Sequence, residues 1–423
     1  MIDINVFRND AKLLRKNMKQ RHESDKIVDD VIALDNNWKT VLKNVEQLKA
    51  KRNTVTREIS QLKKQKKNAD SKIKSMRKIG DDIKKLDTEA KHFLKQRVDL
   101  QMRTPNLLYA SVPFGKDDED NVELRKIGKV PKFNFTPKGH VDVAPALGFD
   151  PERAAKVAGA GFNYLTGDLA LLDQAIQKFT IDFLSKKKKY TLVHPPLMMN
   201  RKSYSGVTDL GDFETVMYKI EGDDLYLIAT SEHPMAAMYA DEVLDKKQLP
   251  IKFCGFSPCF RREIGSHGKY AKGLYRTHQF YKIEQFIFCE PKDSPKYHEE
   301  LQKNVEQLYK ELEIPIRVVN VCTGDIGTVA AKKYDTEGWY ADGKYRELGS
   351  NSNCTTYQSV RLNIKYQDGS EKKHVHTLNN TAIATGRTMI CLIESHQQKD
   401  GSVKIPKALW KYTGFKVIKP KKK

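Results

Sequence analysis

The run CFRREIGSHGKYAKGLYRTHQFYKIEQFIF, Cys259 to Phe288, places arginines, glutamates and a histidine on segments that are otherwise apolar. Phe253, Phe256 and Phe260 lead into Arg261, Arg262 and Glu263; the chain then passes glycines 265, 268 and 273 and enters a second predicted strand near Tyr275. Side chains alternate along a strand, so Arg276, His278, Phe280, Lys282, Glu284 and Phe286 share one face. Burying such a row is costly unless each charge finds a partner. A hairpin with one wet face would account for it. A sheet face that holds a charged ligand accounts for more: arginines suit phosphate, Glu284 suits an amine, and the Phe280 ring offers a base a surface to stack on.

Two further segments favour the ligand. LIATSEHP, Leu227 to Pro234, ends an apolar strand in small hydroxyls and a carboxylate. LNNTAIATGRTMICLIES, Leu378 to Ser395, carries a lone Arg387 at the head of an apolar helical run, and an arginine buried there calls for an anion. A P-loop and a dinucleotide-binding fold both lack their signatures. There is no G-x-x-x-x-G-K-[ST], and the GAG at Gly159 to Gly161 lacks the third glycine of a dinucleotide fingerprint. HVH at His374 to His376 puts two imidazoles on one strand face with no third ligand, so ordinary strand residues are expected. The six cysteines include no C-x-x-C pair. Cys254 and Cys259 are the nearest neighbours and read as reduced, buried thiols of a cytosolic protein rather than as zinc ligands.

Groups so far apart in sequence need a scaffold to meet. At 423 residues with 39% apolar content, the chain has room for two or three domains. The net charge of +21 points to an acidic partner, nucleic acid before anionic membrane. The start has no signal-type apolar stretch and nothing later approaches a membrane span, so a cytoplasmic protein is expected.

Leu34, Trp38, Val41, Val45, Leu48, Arg52, Val55, Ile59 and Leu62 alternate steps of four and three, a heptad seam. A second seam runs through Ile79, Ile83, Leu86, Ala90, Phe93, Arg97 and Leu100, and Asn68 to Ser71 offers a turn and cap between them. The simplest reading is an antiparallel helical hairpin within residues 1–105, each arm about 50 Å long at 1.5 Å per residue. Ala69, Ile73 and Met76 keep the first seam's phase, which leaves one long helix open. Lys63, Lys64, Lys66 and Lys67 crowd the tip with little acid nearby, the pattern of a phosphate-binding arm. Residues 106–131, with Pro113, Gly115 and an acidic run, read as a linker. From residue 132 to 423 short β-rich runs alternate with amphipathic stretches, so the fold expected is α+β on a mainly antiparallel sheet flanked by helices.

Taken in order, the motifs resemble those of the seryl-tRNA synthetases, a class II aminoacyl-tRNA synthetase family, over nearly the whole chain. VHPPLMMN carries the motif 1 proline at Pro195 or Pro196. TSE lies at Thr230 to Glu232, FRRE with GLYRTHQFYKIE is motif 2, TGD lies at Thr323 to Asp325, ELGSNSNCTTYQ starts at Glu347, and LNNTAIATGRT is motif 3. TSEHP, REIGSHG and SNCTTYQ are similar to archaeal and eukaryotic members more than to bacterial ones.

The resemblance implies activation of L-serine with ATP to seryl-adenylate, then transfer to the terminal adenosine of tRNA-Ser, with tRNA-Sec as a further acceptor. It implies Mg²⁺ held with ATP by Glu347 and Ser350, a homodimer formed through motif 1, and a basic arm gripping tRNA. Arg261 would bind the α-phosphate and the serine carboxylate, Glu263 the adenine amine, and Arg387 the γ-phosphate. Phe280 would stack under the adenine, in a pocket shared with Arg262, Arg276, Thr277, Leu348 and Gly349. Thr230, Ser231, Glu232, Arg261, Glu284, Asn379 and Thr381 would form the serine pocket. The loop from Gly265 to Gly273 would meet the tRNA acceptor end. Departures from the family pattern are Gly161, where arginine is common, Asn351 for cysteine, LNNT for LNG, and Thr381 for serine. The rival readings are a class II ligase for another amino acid and an inactive RNA-binding paralogue. The KPKKK end reads as a solvated tail.

Overall fold

The computed structural model describes residues 1–209, 211, 214–263 and 273–421. These divide into two units, Met1–Pro105 and Asn106–Lys423.

In the first unit, short helices α1 (Ile4–Asn9) and α2 (Ala11–Gln20) precede the two long helices α3 (Lys26–Lys64) and α4 (Asp70–Arg103). The seams do not reveal α1 and α2, which are too short to show a heptad; Asp3 and Asp10 cap them by accepting N–H groups of Asn5 and Leu13. The single-helix alternative ends at the tip. Lys66 takes a left-handed φ of 53°, the Lys67 N–H donates to Leu62 O at 2.9 Å, and Asn68 Oδ1 accepts the Asp70 N–H at 2.8 Å. That closes one helix and starts its return. Val45, Val55 and Ile59 of α3 bury against Ile79 and Ile83 of α4, as the seams predict. Lys63, Lys64, Lys66 and Lys67 are all exposed around the turn.

The charged seam residue Arg97 is buried because it meets Asp35, Nη1 to Oδ1 at 2.6 Å. Arg8 and Lys39 each reach the other carboxylate oxygen at 2.8 Å, and the Arg97 guanidinium lies 5.0 Å from the Trp38 ring centre. Burial works to raise the Asp35 pKa, but these three cations hold it well below the usual carboxylate range. Asp35→Ala would strand Arg97 without an anion. It is expected to cost the first unit about 3–5 kcal/mol in urea unfolding, less in acid where Asp35 itself protonates. A loss under about 1 kcal/mol would show that the network is neutral.

The second unit is built on an eight-stranded sheet. Its strands are β1 (Val122–Ile127), β2 (Thr191–Val193), β3 (Ile251–Phe260), β4 (Gln279–Cys289), β5 (Ile316–Asn320), β6 (Lys332–Trp339), β7 (Tyr345–Thr355) and β8 (His376–Ala384). Their order is β1-β5-β6-β7-β8-β4-β3-β2, antiparallel throughout except for β2 on β3. Helices α5 (Asp168–Asp182), α7 (Ser294–Glu311) and α8 (Thr385–His396) cover one face; α6 (Glu232–Ala237) follows the TSE turn. Ile283 and Ile287 of β4, with Leu378 and Ile383 of β8, pack into the core with Leu172, Leu301 and Ile390 of those helices. The opposite face of β4 is left to Phe280, Lys282 and Glu284.

Two boundaries differ from the sequence reading. Residues 106–131 are not a free linker: β1 pairs with β5 as the sheet edge, and Asn106 Nδ2 donates to Val329 O at 2.9 Å and Cys354 O at 2.8 Å. An edge strand with mostly exposed side chains has too weak an alternation to be seen among prolines and acids. The second strand of the opening hairpin starts at Gln279 rather than near Tyr275, so Arg276 and His278 stand just before it. All six cysteines are free and buried. His374 and His376 are spent on Ile364 O and Ser294 Oγ. Among the described residues no cluster of His, Cys, Asp and Glu could hold a metal alone, and no helix is long and apolar enough to cross a membrane.

Candidate active site

The free face of β3, β4, β7 and β8 forms a cleft. Its walls include Arg261, Glu263, Thr277, Phe280, Lys282, Glu347, Leu348, Gly349, Thr381 and Arg387. Arg261 extends the β3–β4 ladder, its N–H donating to His278 O at 2.9 Å. Its side chain is aimed by a long contact of Nε with Ala229 O, 3.5 Å, and by the Phe280 ring 5.4 Å from its guanidinium carbon. Glu263 follows with a left-handed φ of 43°, a strained setting for a non-glycine residue of a kind that collects at functional sites. Arg276 Nη1 lies 3.5 Å from Glu263 Oε2 and holds it at the cleft rim. The Arg262 side chain is exposed, and its N–H donates to Val216 O.

Across the cleft, Arg387 sits in the first turn of α8. It donates to Glu347 O at 3.0 Å, lies 3.4 Å from Glu347 Oε2, and spreads over the Tyr275 ring at 4.7 Å. A β-bulge at Leu348 shapes this side. Thr336 pairs with Gly349 while the next residue, Glu337, pairs with Glu347, so one residue is extra on β7. Glu347 and Ser350 are three apart and would face opposite ways on a regular strand; the bulge turns both to one face, with Ser350 Oγ donating to Glu347 Oε1 at 3.2 Å. These are hard oxygen donors in contact with each other, suited to Mg²⁺ shared with phosphates but too few to hold it alone. Burial raises the Glu347 pKa, yet Arg387, Lys333 and Arg261 outweigh it, so the carboxylate stays ionised.

Deeper in, two carboxylates lie close together, Glu284 buried and Glu232 half-buried. Glu232, on α6, accepts Asn379 Nδ2 at 3.0 Å and Gln358 Nε2 at 3.2 Å, both on Oε1. Glu284, on β4, receives Thr381 Oγ1 at 3.2 Å and Lys282 Nζ at 2.5 Å, both on Oε2. Burial, and then the charge of Glu284, push the Glu232 pKa up to about 7. Burial also raises that of Glu284, with Lys282 opposing. Thr230 is buried at the head of α6, where its hydroxyl accepts the Glu232 N–H.

The structure brings Arg261, Glu263, Thr277, Phe280, Glu347, Leu348, Gly349, Thr381 and Arg387 to one cleft, with Glu284 joined to it through Thr381 and Lys282, and Glu232 bonded to Asn379 of the same β8 strand. Ser231 stands apart: its hydroxyl donates to Gly255 O at 3.3 Å, at the start of α6. Sequence reasoning gave no role to Lys282, although its i±2 spacing from Phe280 and Glu284 marked it. Gln358 and Tyr275 were missed outright; each reaches the site from a helix or loop whose approach no local pattern announces.

The family models add their own result. The N-terminal domain of seryl-tRNA synthetases matches residues 1–108, and the class II core domain of the G, H, P, S and T synthetases matches residues 215–396. A serine–tRNA ligase of Methanocella arvoryzae is 50% identical over 419 residues, covering 97% of this chain and 98% of that one. The chain belongs to the seryl-tRNA synthetase family. The solved seryl-tRNA synthetase of Pyrococcus horikoshii complexed with ATP is 44% identical with a TM-score of 0.94, covering all of both chains. The cytoplasmic serine–tRNA ligase of Naegleria fowleri, in complex with AMP, is 34% identical with a TM-score of 0.90, covering 100% of this chain and 99% of that one.

For a seryl-tRNA synthetase, the departures in sequence fall in accountable places. Gly161 has φ +83°, its carbonyl accepts the His278 N–H at 2.9 Å, and a Cβ there would lie 2.2 Å from the His278 ring. No larger residue fits while that ring stacks on Phe162 at 5.2 Å. Asn351 is buried on the helix side, donating to His298 O and Gln302 Oε1, away from the cleft. In LNNT, Asn379 reaches Glu232 while its neighbour Asn380 is buried in the opposite face of the strand. The Thr381 methyl lies against Gly349, where a Cβ would come within 2.8 Å of it. Residues 264–272, most of the loop expected to meet the acceptor end, lie outside the described residues.

Proposed function

We propose that this site carries out the two steps of a serine–tRNA ligase: the serine carboxylate attacks the α-phosphate of ATP and expels pyrophosphate, and the seryl group then passes from the adenylate to the 3′-terminal adenosine of tRNA, releasing AMP. The observation that carries the reading is the pairing of a phosphate-suited cleft with two inner carboxylates, each half used. Glu232 and Glu284 each spend one oxygen on the protein, and the other oxygen of each is left to a ligand. Two such acceptors fit the ammonium and hydroxyl of serine. Alanine would leave one of them unsatisfied, which is how a polar pocket rejects it.

Arg261 stands between the cleft and the inner carboxylates and binds the serine carboxylate and the α-phosphate, offsetting the charge that gathers on phosphorus. Phe280 supports the adenine, with Glu263 and the Thr277 backbone at its edge. Arg387 takes the γ-phosphate. Glu347 and Ser350 would hold Mg²⁺, which neutralises phosphate charge when bound. No general base is required; orientation and fixed charge do the work. The first unit's exposed tip lysines support a tRNA-gripping role, and tRNA-Sec shares the acceptor chemistry. A homodimer is supported by an apolar groove lined by Pro195, Pro196, Met198 and Met238, two of whose methionines are exposed.

Serine-dependent ATP–pyrophosphate exchange, screened over all amino acids, tests the reading. Serine alone should support it. Exchange with a different amino acid would displace the substrate, and no exchange at all would favour an RNA-binding paralogue.

A further inference from the structure

We propose that Lys282 is a positioning residue of the serine pocket: it fixes the orientation and the charge of Glu284, and so leaves Glu232 as the carboxylate for the serine ammonium. The inference rests on the assignment of Glu232 and Glu284 to serine.

The geometry is unusual for a lysine. Its side chain is 8% exposed, its stem lines the cleft, and its ammonium ends 2.5 Å from Glu284 Oε2 and 3.5 Å from Thr381 Oγ1. Thr381 donates to the same Glu284 oxygen, so Oε2 is doubly held while Oε1 takes neither contact. A carboxylate pinned by one oxygen presents the other in a single direction, which is what reading a hydroxyl or ammonium requires.

The charges make the same point. Facing the pocket are Glu232 from α6, Glu284 and Lys282 from β4, and Arg261 from the end of β3, while Thr381 and Asn379 of β8 and Gln358 are neutral donors. His233 beside Glu232 is kept neutral, its pKa lowered by burial, Lys282 and Arg261 to about 3. Buried Cys254, Cys259 and Cys354 have pKa values raised by burial and remain thiols. With both carboxylates ionised, two negative and two positive groups balance, and zwitterionic serine keeps the balance. Removing Lys282 leaves the two carboxylates with one cation. The pair would then take up a proton more readily, and a protonated carboxyl no longer offsets the ammonium.

The test uses the full chain in pyrophosphate exchange, with KM for serine and for ATP measured for the parent, K282M, K282R and E284Q between about pH 6.5 and 8.5. K282M should raise the serine KM on the order of a hundredfold, with the ATP KM changed by less than about threefold. The K282M penalty should grow as pH falls, because ionised carboxylate is lost through a raised pKa. K282R should recover part of the loss by restoring charge. If K282M does not fold, K282Q, which keeps a polar end without the charge, carries the same comparison. A serine KM that is unchanged, a penalty that is flat with pH, or serine and ATP KM values that rise together would overturn the proposal and leave Lys282 a wall residue. E284Q separates the two readings: if it leaves the serine KM unaltered, the pocket assignment itself fails.

Discussion

Arg261→Ala is expected to lower kcat/KM for serine-dependent pyrophosphate exchange by about a thousandfold, mainly through kcat. The backbone N–H of Arg261 is fixed on His278 O, and its guanidinium is set by Nε toward Ala229 O and by the Phe280 ring. It is the cation placed between the cleft and the two inner carboxylates, where serine and the α-phosphate have to approach. Charge developing in the attack is greater than charge in either bound substrate, so the loss falls on the transition state. Arg261→Lys keeps the charge but not the planar fork, and should recover less than about a tenth of the lost activity. The wall position argues for a folded variant, which a thermal melt checks. If Arg261→Ala raised only the serine KM and spared kcat, Arg261 would be a ground-state anchor, not a catalytic group.

Deleting the hairpin, from about Asp25 to Arg103, should leave serine activation within about twofold of the parent and reduce tRNA charging by at least a hundredfold. The second unit carries the whole sheet and its own core, so the chemistry has no need of α3 and α4. A gentler variant isolates the cause. Replacing Lys63, Lys64, Lys66 and Lys67 by Ala keeps the buried seam and removes four exposed cations around the turn. If each meets a phosphate, the slope of log K against log salt should become shallower by about 0.7–0.9 for every lysine–phosphate pair removed. An unchanged slope would make these lysines a solvated tip, and charging that survives the deletion would remove the arm from tRNA recognition.

Much of this protein is legible in its residues because the relevant signals are local. The seams at Val45, Val55, Ile59, Ile79 and Ile83 require only helical periodicity, and they place the hairpin core where it is found. The period of two through Phe280, Lys282 and Glu284 is likewise a property of one strand. It fixes which side chains can face a ligand before any neighbour is known. The residue types on that strand already demand partners for their charges.

What the sequence could not settle depends on neighbours distant along the chain. Glu347 and Ser350 share a face because Leu348 is an extra residue opposite β6, and a bulge is defined by the partner strand. Gln358 and Lys282 become site residues only where β4, β8 and α6 close on Glu232 and Glu284. The weakly patterned stretch 122–127 becomes a strand because β5 offers it an edge. Gly161 is compatible with its site because the His278 ring occupies the space a side chain would need. Local periodicity sets which face a side chain takes. Which carboxylate stays charged, and which of its oxygens is free, is set by burial and by partners supplied from other strands, and that only the tertiary structure decides.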